Sequence, residues 1–304
     1  MLNTNPVFWS SGYLSKKKDL KLLAMKTPLS DWGEISPKEV NTNVFALMTG
    51  EINGDSFISP HSATFGGIHL NQDYIKEYDL IIPKLVNFLP SKFEVKKLSV
   101  LLPSSHLYES VGLEINSIFP AYLKKNVFID RNFVIKLKIW SESDLSKGNR
   151  KKLRQSREGG IFSSQLDSSE IPNAYSIIEE NRKRLGVIPS ISLNELLDLV
   201  VSFPKLYKVF GTYYKSELIA AAIVVETHPE NNYVYMWAEK LEYRNFSPVV
   251  SIFKKIVEYS QDNGYKFLDL GTSSSKGKTI EGLVRFKSNL GAMEYEKLMV
   301  STNL

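Results

Sequence analysis

The sequence predicts an α/β protein with mixed sheets, in which an antiparallel meander is followed by a parallel βαβ step, and it predicts this order twice. Three observations carry the expectation. Three β-branched and aromatic runs follow one another between 206 and 238, separated by turn formers. An amphipathic helix with a marked start and stop comes directly after them, followed by a short apolar strand. The first half of the chain shows the same order more faintly, without a periodic repeat.

In the second half, Leu206–Tyr213, Leu218–Thr227 and Tyr233–Ala238 read as the three strands of the meander, with His228–Asn232 as a turn between the last two. Ser247 is placed to cap the next helix, and Pro248 sits at its first position, where its missing N–H is harmless. Val249, Ile252, Phe253, Ile256 and Val257 then share one apolar face. Asn263-Gly264 ends the helix, and Tyr265–Leu270 follows as a buried strand. Strand, helix, strand implies a right-handed parallel crossover.

In the first half, Asn43–Met48 and Asp55–Ser59 are expected as strands joined through Asn53-Gly54, with Thr64–Leu70 as a third. A helix over Asp73–Leu89 is expected to kink or split at Pro83. Leu98–Leu102 reads as a strand, Glu109–Lys124 as a helix broken near Pro120, and Phe133–Ile139 as a strand. The polar stretch 141–165 marks the junction, giving domains 1–145 and 146–304.

Composition narrows the chemistry. The 304 residues include no Cys, which excludes disulfides, thiolate metal sites, iron–sulfur clusters and a cysteine nucleophile. No zinc spacing, EF-hand loop or dinucleotide fingerprint occurs, so no metal or redox cofactor is expected. The longest apolar run, Leu218–Val225, is strand length and far below the ~18–20 residues of a spanning helix. Residues 1–20 lack the order of a signal peptide. The expectation is a soluble, cytoplasmic protein, with peripheral attachment at the inner face of the membrane left open. A net charge of +5 permits an acidic ligand without demanding nucleic acid.

Four stretches are candidate sites. Gly271–Thr279 looks like a phosphate loop, but five residues separate Gly271 from Gly277 where a P-loop has four, so a polar loop is the plainer reading. In Ile280–Leu290, Lys287 falls on the stripe of Ile280, Leu283, Val284 and Leu290. A charge there must snorkel, pair or line a cleft. Ser59–Ile68, with Pro60 and Gly66-Gly67, is either a contact loop or a tight connection, and His61 within it has no visible triad partners. Lys147–Arg157 holds six positive residues and no acid, which fits either a phosphate-binding helix or a solvated one.

The string formed by the meander, the Ser-Pro-started helix, Asp269-Leu270-Gly271, Arg285-Phe286-Lys287 and Gly291-Ala292 resembles the FemAB-like acyltransferases, which carry two GNAT (N-acetyltransferase-type) domains in tandem. Asn149-Arg150 through Gly160 looks like the basic helix opening their second domain, and Ser59-Pro60 through Gly66-Gly67 like their first-domain substrate loop. The resemblance implies two GNAT-like domains in tandem. It implies transfer of an acyl or aminoacyl group to an amine acceptor on a cell-envelope glycan or peptidoglycan precursor, such as a sugar nucleotide or lipid-linked glycan. The co-substrate would be acyl-CoA or aminoacyl-tRNA, with the tRNA acceptor end as a partner.

By the same resemblance Lys287 matches the lysine that assists transfer. Asp269 would orient the amine or receive its proton, unless it only shapes its turn. Arg150 and Arg285 would contact phosphate or carboxylate groups, and Phe286, Ser59, His61 and Tyr235 would line the substrate site. One element departs from the pattern: Glu239–Ser247 has no glycine where a CoA-binding GNAT domain carries an Arg/Gln-x-x-Gly-x-Gly/Ala turn. The rival expectation is a non-catalytic, degenerate GNAT pair that binds RNA or an anionic glycan precursor.

Overall fold

The computed structural model describes residues 14–15, 19–41, 44–61, 63–70, 78–108, 119, 121, 123 and 126–304. The elements in chain order are β1 (Lys21–Met25), β2 (Gly33–Glu34), β3 (Ala46–Asn53), β4 (Ser56–Ser59), β5 (Ile68–Leu70), α1 (Tyr78–Phe93), β6 (Lys97–Ser104) and β7 (Asn126–Lys136). These are followed by α2 (Lys147–Glu158), β8 (Phe162–Gln165), α3 (Ile171–Arg184), α4 (Leu193–Ser202), β9 (Tyr207–Tyr214), β10 (Glu217–His228) and β11 (Asn231–Glu239). Last come α5 (Pro248–Asp262), β12 (Phe267–Thr272), β13 (Ser274–Ser275), β14 (Lys278–Thr279), α6 (Glu281–Ser288) and β15 (Met293–Asn303). No helix of the described residues is long and apolar enough to cross a membrane.

The chain divides into two compact units. Unit 1 comprises Met1–Asn132, Thr272–Ile280 and Tyr295–Leu304, and unit 2 comprises Phe133–Gly271 and Glu281–Glu294. In unit 1 the strands run β2–β1–β3–β4–β6–β15, with β5 on β3. β1, β3 and β4 are antiparallel, and β6 returns after α1 parallel to β4. In unit 2 the order is β7–β12–β11–β10–β9–β8. There β9, β10 and β11 are antiparallel, and β12 returns after α5 parallel to β11. The meander followed by a parallel crossover therefore occurs in each unit, as the sequence predicts.

The elements form for local reasons. Ile219 to Val225 of β10 are all buried, because α3 and α5 both pack against this strand. A strand covered on both faces needs a continuous apolar run rather than alternation. On α5, Ile252, Phe253, Ile256 and Val257 are buried and Gly264 takes φ +77° just beyond its end, as expected. Ser247 differs from expectation: it adopts φ +52° and its side chain makes no capping bond. In unit 1, α1 runs unbroken through Pro83 and Pro90, because Ile81, Ile82, Leu85 and Leu89 are held in the unit 1 core. Residues 73–77 of the expected helix, Asn43, and most of the expected helix at 109–124 lie outside the described residues.

The strands β1 and β2 and the helices α3 and α4 appear where no element is expected from the sequence. For α4 the cause is a capping box, in which Ser192 accepts from the Glu195 amide and the Glu195 carboxylate accepts from the Ser192 amide.

The 60–67 loop is tied down inside unit 1. The Gly66 amide donates to the Leu101 carbonyl of β6 at 2.7 Å, and the Gly67 amide donates to Ser59 Oγ at 3.2 Å. The loop thus continues alongside β6 beyond the last β4–β6 pair, Ser59 with Val100. A Cβ on Gly66 would lie 2.2 Å from Ser59 Oγ and 2.6 Å from Pro60 N. Gly66→Ala should therefore cost about 1–3 kcal/mol of stability by overpacking, read as a lower urea midpoint with unchanged slope. An unchanged midpoint would show that the loop does not depend on this contact.

Candidate active site

The site of unit 2 is built on one face of β11. Tyr233, Tyr235 and Trp237 alternate with the buried Val234, Met236 and Ala238, which places the three aromatics together. Between Ile223 and Val224 of β10 the register slips from Met236 to Val234, so Tyr235 is the extra residue of a β-bulge. The pairing of β11 with β12 covers only Asn231–Tyr233 against Phe267–Asp269. Beyond Tyr233, β11 runs on to Glu239 without a β12 partner. The two strands part where Tyr233 and Asp269 stand side by side.

Lys287 and Asp269 converge on the residue just past that point. Gly271 takes φ +78°, and its amide donates to Asp269 Oδ1 at 2.7 Å. Its carbonyl accepts from Lys287 Nζ at 2.8 Å. A Cβ at Gly271 would sit 3.2 Å from the Tyr233 hydroxyl, so the glycine serves both the turn and the close approach. Lys287 is only 4% exposed, and its ammonium lies 6.0 Å from the centroid of the Phe133 ring, within cation–π range. The expected stripe of α6 is corrected: Ile280 and Leu283 are exposed, while Lys287 and Leu290 face inward. The lysine is thus drawn in by its carbonyl partner rather than snorkelling at the edge of an apolar face.

The neighbours set the electrostatics. Burial pushes the Tyr233 phenol above its ordinary value, and the Asp269 carboxylate adds to the rise. The Phe286 ring packs edge-on against Trp237 at 5.5 Å. The Tyr235 hydroxyl bonds to Ser190 Oγ at 2.7 Å. At the end of β11, the Glu239 carboxylate lies near the Val249 amide in the first turn of α5 and 3.7 Å from Arg244 Nε. Burial raises this carboxyl, while the Val249 amide and Arg244 oppose the rise. A helix start is a ready anion site, and here a carboxylate of the chain itself stands near it.

The other predicted residues lie elsewhere. Ser59 and His61 belong to unit 1, where Ser59 is buried and His61 Nδ1 pairs with Glu51 Oε2. Arg150 Nη1 donates to the carbonyls of Ser143 and Leu145, so this guanidinium ties down the turn before α2. Arg285 is exposed on α6. On α2 the charged residues face outward, and Arg157 makes a two-pronged pair with Glu142. Within the stretch 271–279, residues 274–279 form the β13–β14 hairpin, whose Gly277 amide and Ser274 hydroxyl both donate to the buried Asp130. That carboxylate uses donors a phosphate would have needed. Tyr233, Trp237, Ser190 and Glu239 were not singled out from the sequence, although the alternation of Tyr233, Tyr235 and Trp237 carries the signal for the aromatic face.

No protein-family profile and no curated protein sequence matches the chain. Solved structures do. FemX is similar over 98% of this chain and 91% of its own, with TM-score 0.64 and 9% identity. L-PGS from Bacillus licheniformis is similar over 98% and 87%, with TM-score 0.61 and 10% identity. A tandem GNAT protein from the clavulanic acid biosynthesis pathway is similar over 96% and 86%, with TM-score 0.53 and 10% identity. The class defined by these likenesses and by the repeated meander and crossover is the tandem GNAT fold, in mixed α/β sheets. The resemblance to FemAB-like proteins read from the residues holds at the level of that fold.

Asp269 bears on stability as well as on the site. Asp269→Ala leaves the Gly271 amide without its acceptor and should cost about 1–3 kcal/mol. Asp269→Asn retains an oxygen in the same place and should recover most of that loss. Thermal denaturation of the two variants checks this; equal losses would contradict the role of the oxygen.

Proposed function

We propose that this chain transfers an acyl or aminoacyl group to an amine on a cell-envelope glycan or peptidoglycan precursor, with Lys287 as the cation that assists transfer. The observation that carries the reading is the buried Lys287 ammonium, held at the Gly271 carbonyl where β11 and β12 part. A fold shared with FemX and L-PGS supports transfer chemistry of this class. The acceptor nitrogen attacks the donor carbonyl carbon, forming a C–N bond and a tetrahedral oxyanion. Collapse breaks the bond to the leaving oxygen, which takes up the proton lost by the amine. A fixed cation in a site of low polarity stabilises the charge that develops. Asp269 is a positioning residue, since it fixes the Gly271 turn that receives Lys287. Tyr235 and Phe286 stand on the same side of β11 as the wall of the acyl site.

The start of α5 supports an aminoacyl ester as donor over an acyl-CoA. The Glu239 carboxylate stands near the Val249 amide at that helix start, where its charge would repel a pyrophosphate. Transfer should then proceed from aminoacyl-tRNA and not from acyl-CoA, measured with radiolabelled donors and a UDP-linked peptidoglycan precursor. Turnover of acyl-CoA alone would overturn the donor assignment. Lys287→Met should lower kcat by roughly 100-fold or more with little change in melting temperature. An unchanged rate would refute the role of Lys287. Binding of precursor or RNA without transfer from either donor would favour a binding module instead.

A further inference from the structure

Unit 1 contains a second buried lysine, and the groups around it have unused hydrogen-bonding capacity. Lys297 on β15 is 6% exposed, and its Nζ donates to the Thr64 carbonyl at 2.8 Å. The antiparallel register pairs Lys297 with Ser104 of β6. Directly opposed residues of an antiparallel pair project from the same face, with Cβ atoms about 4.5–5.5 Å apart. Ser104 is 2% exposed, and its Oγ has no hydrogen-bond partner. It also stands at the N-cap of the 105–107 turn, where a serine ordinarily accepts from a turn amide, yet it makes no capping bond. The Thr64 hydroxyl is likewise buried and without a partner.

A buried hydroxyl left unbonded is costly, and here one belongs to the residue whose carbonyl holds Lys297 and the other to the residue paired with Lys297 across the sheet. The loop that brings Thr64 here is fixed by the Gly66 and Gly67 amides, so the arrangement is held in advance of any ligand. Ammonium and hydroxyl donors on one face suit an oxyanion.

We propose that Lys297, Ser104 and Thr64 form an oxyanion-binding subsite of unit 1 that takes a carboxylate or a phosphate group. An acceptor carrying such a group would be held there; that role rests on the proposed transfer, but the subsite itself does not. The test titrates the full chain with inorganic phosphate and, separately, with acetate at constant ionic strength, reading melting temperature and heat. Saturable binding of phosphate identifies a phosphate site, and saturable binding of acetate a carboxylate site. Ser104→Ala and Thr64→Val, which change little volume, should each weaken that binding roughly tenfold, as expected for one hydrogen bond to a charged group. Lys297→Met should abolish it. Lys287→Met should leave it intact, which separates failure of this subsite from failure of the transfer reading. No saturable binding of either anion to the wild type would overturn the proposal, as would wild-type affinity in both Ser104→Ala and Thr64→Val.

Discussion

The clamp on Gly271 is the interaction on which the rest of the unit 2 site depends. One glycine in the left-handed region turns the chain at the end of β12. Its amide is held from below by Asp269 and its carbonyl from α6 by Lys287. Without the first bond the turn loses its local support; without the second the Gly271 carbonyl and the Lys287 ammonium each lose a hydrogen bond. The same turn sits against the Tyr233 hydroxyl, which fixes the height of the aromatic face of β11 above it. Sheet geometry, helix placement and site chemistry therefore meet in one residue.

The parallel crossovers of the two units end differently. In unit 2, β11 and β12 pair over three residues and then separate, leaving the Tyr235 bulge and Trp237 beside the opening. In unit 1, the 60–67 loop bonds to β6 past the last β4 pair and fills the corresponding place with the chain's own backbone. One sequence thus uses the same crossover for an opening in one unit and for a loop-lined polar cluster in the other. At the start of α5 the Glu239 carboxylate stands near a helix N-terminus that the fold would otherwise offer to an anion.

The fold was legible where local signals agree. In the second half, Pro248, Gly264 and the 3.6-residue spacing between them mark α5, and the uninterrupted apolar run of β10 marks a strand covered on both faces. Lys287 was legible as a charge where an apolar residue was expected, though for a partly wrong reason, since Ile280 and Leu283 turn outward. What brings the lysine inside is the Gly271 carbonyl, a backbone partner that no side-chain pattern announces. Glu239, Ser104 and Lys297 were illegible for the same kind of reason. Their roles come from strand register and from a helix start folded back across the 241–246 turn, so they exist only once the chain is assembled. Arg150 shows the converse: its charge was visible in the sequence, but two nearby carbonyls decide what it does.

Chemical rescue tests the central claim most directly, because it supplies the missing cation without rebuilding the side chain. Lys287→Ala should transfer slowly from aminoacyl-tRNA, and added ethylammonium should restore the single-turnover rate in proportion to its concentration until the site fills. Transfer by Lys287→Ala at the wild-type rate with no added amine would contradict the account.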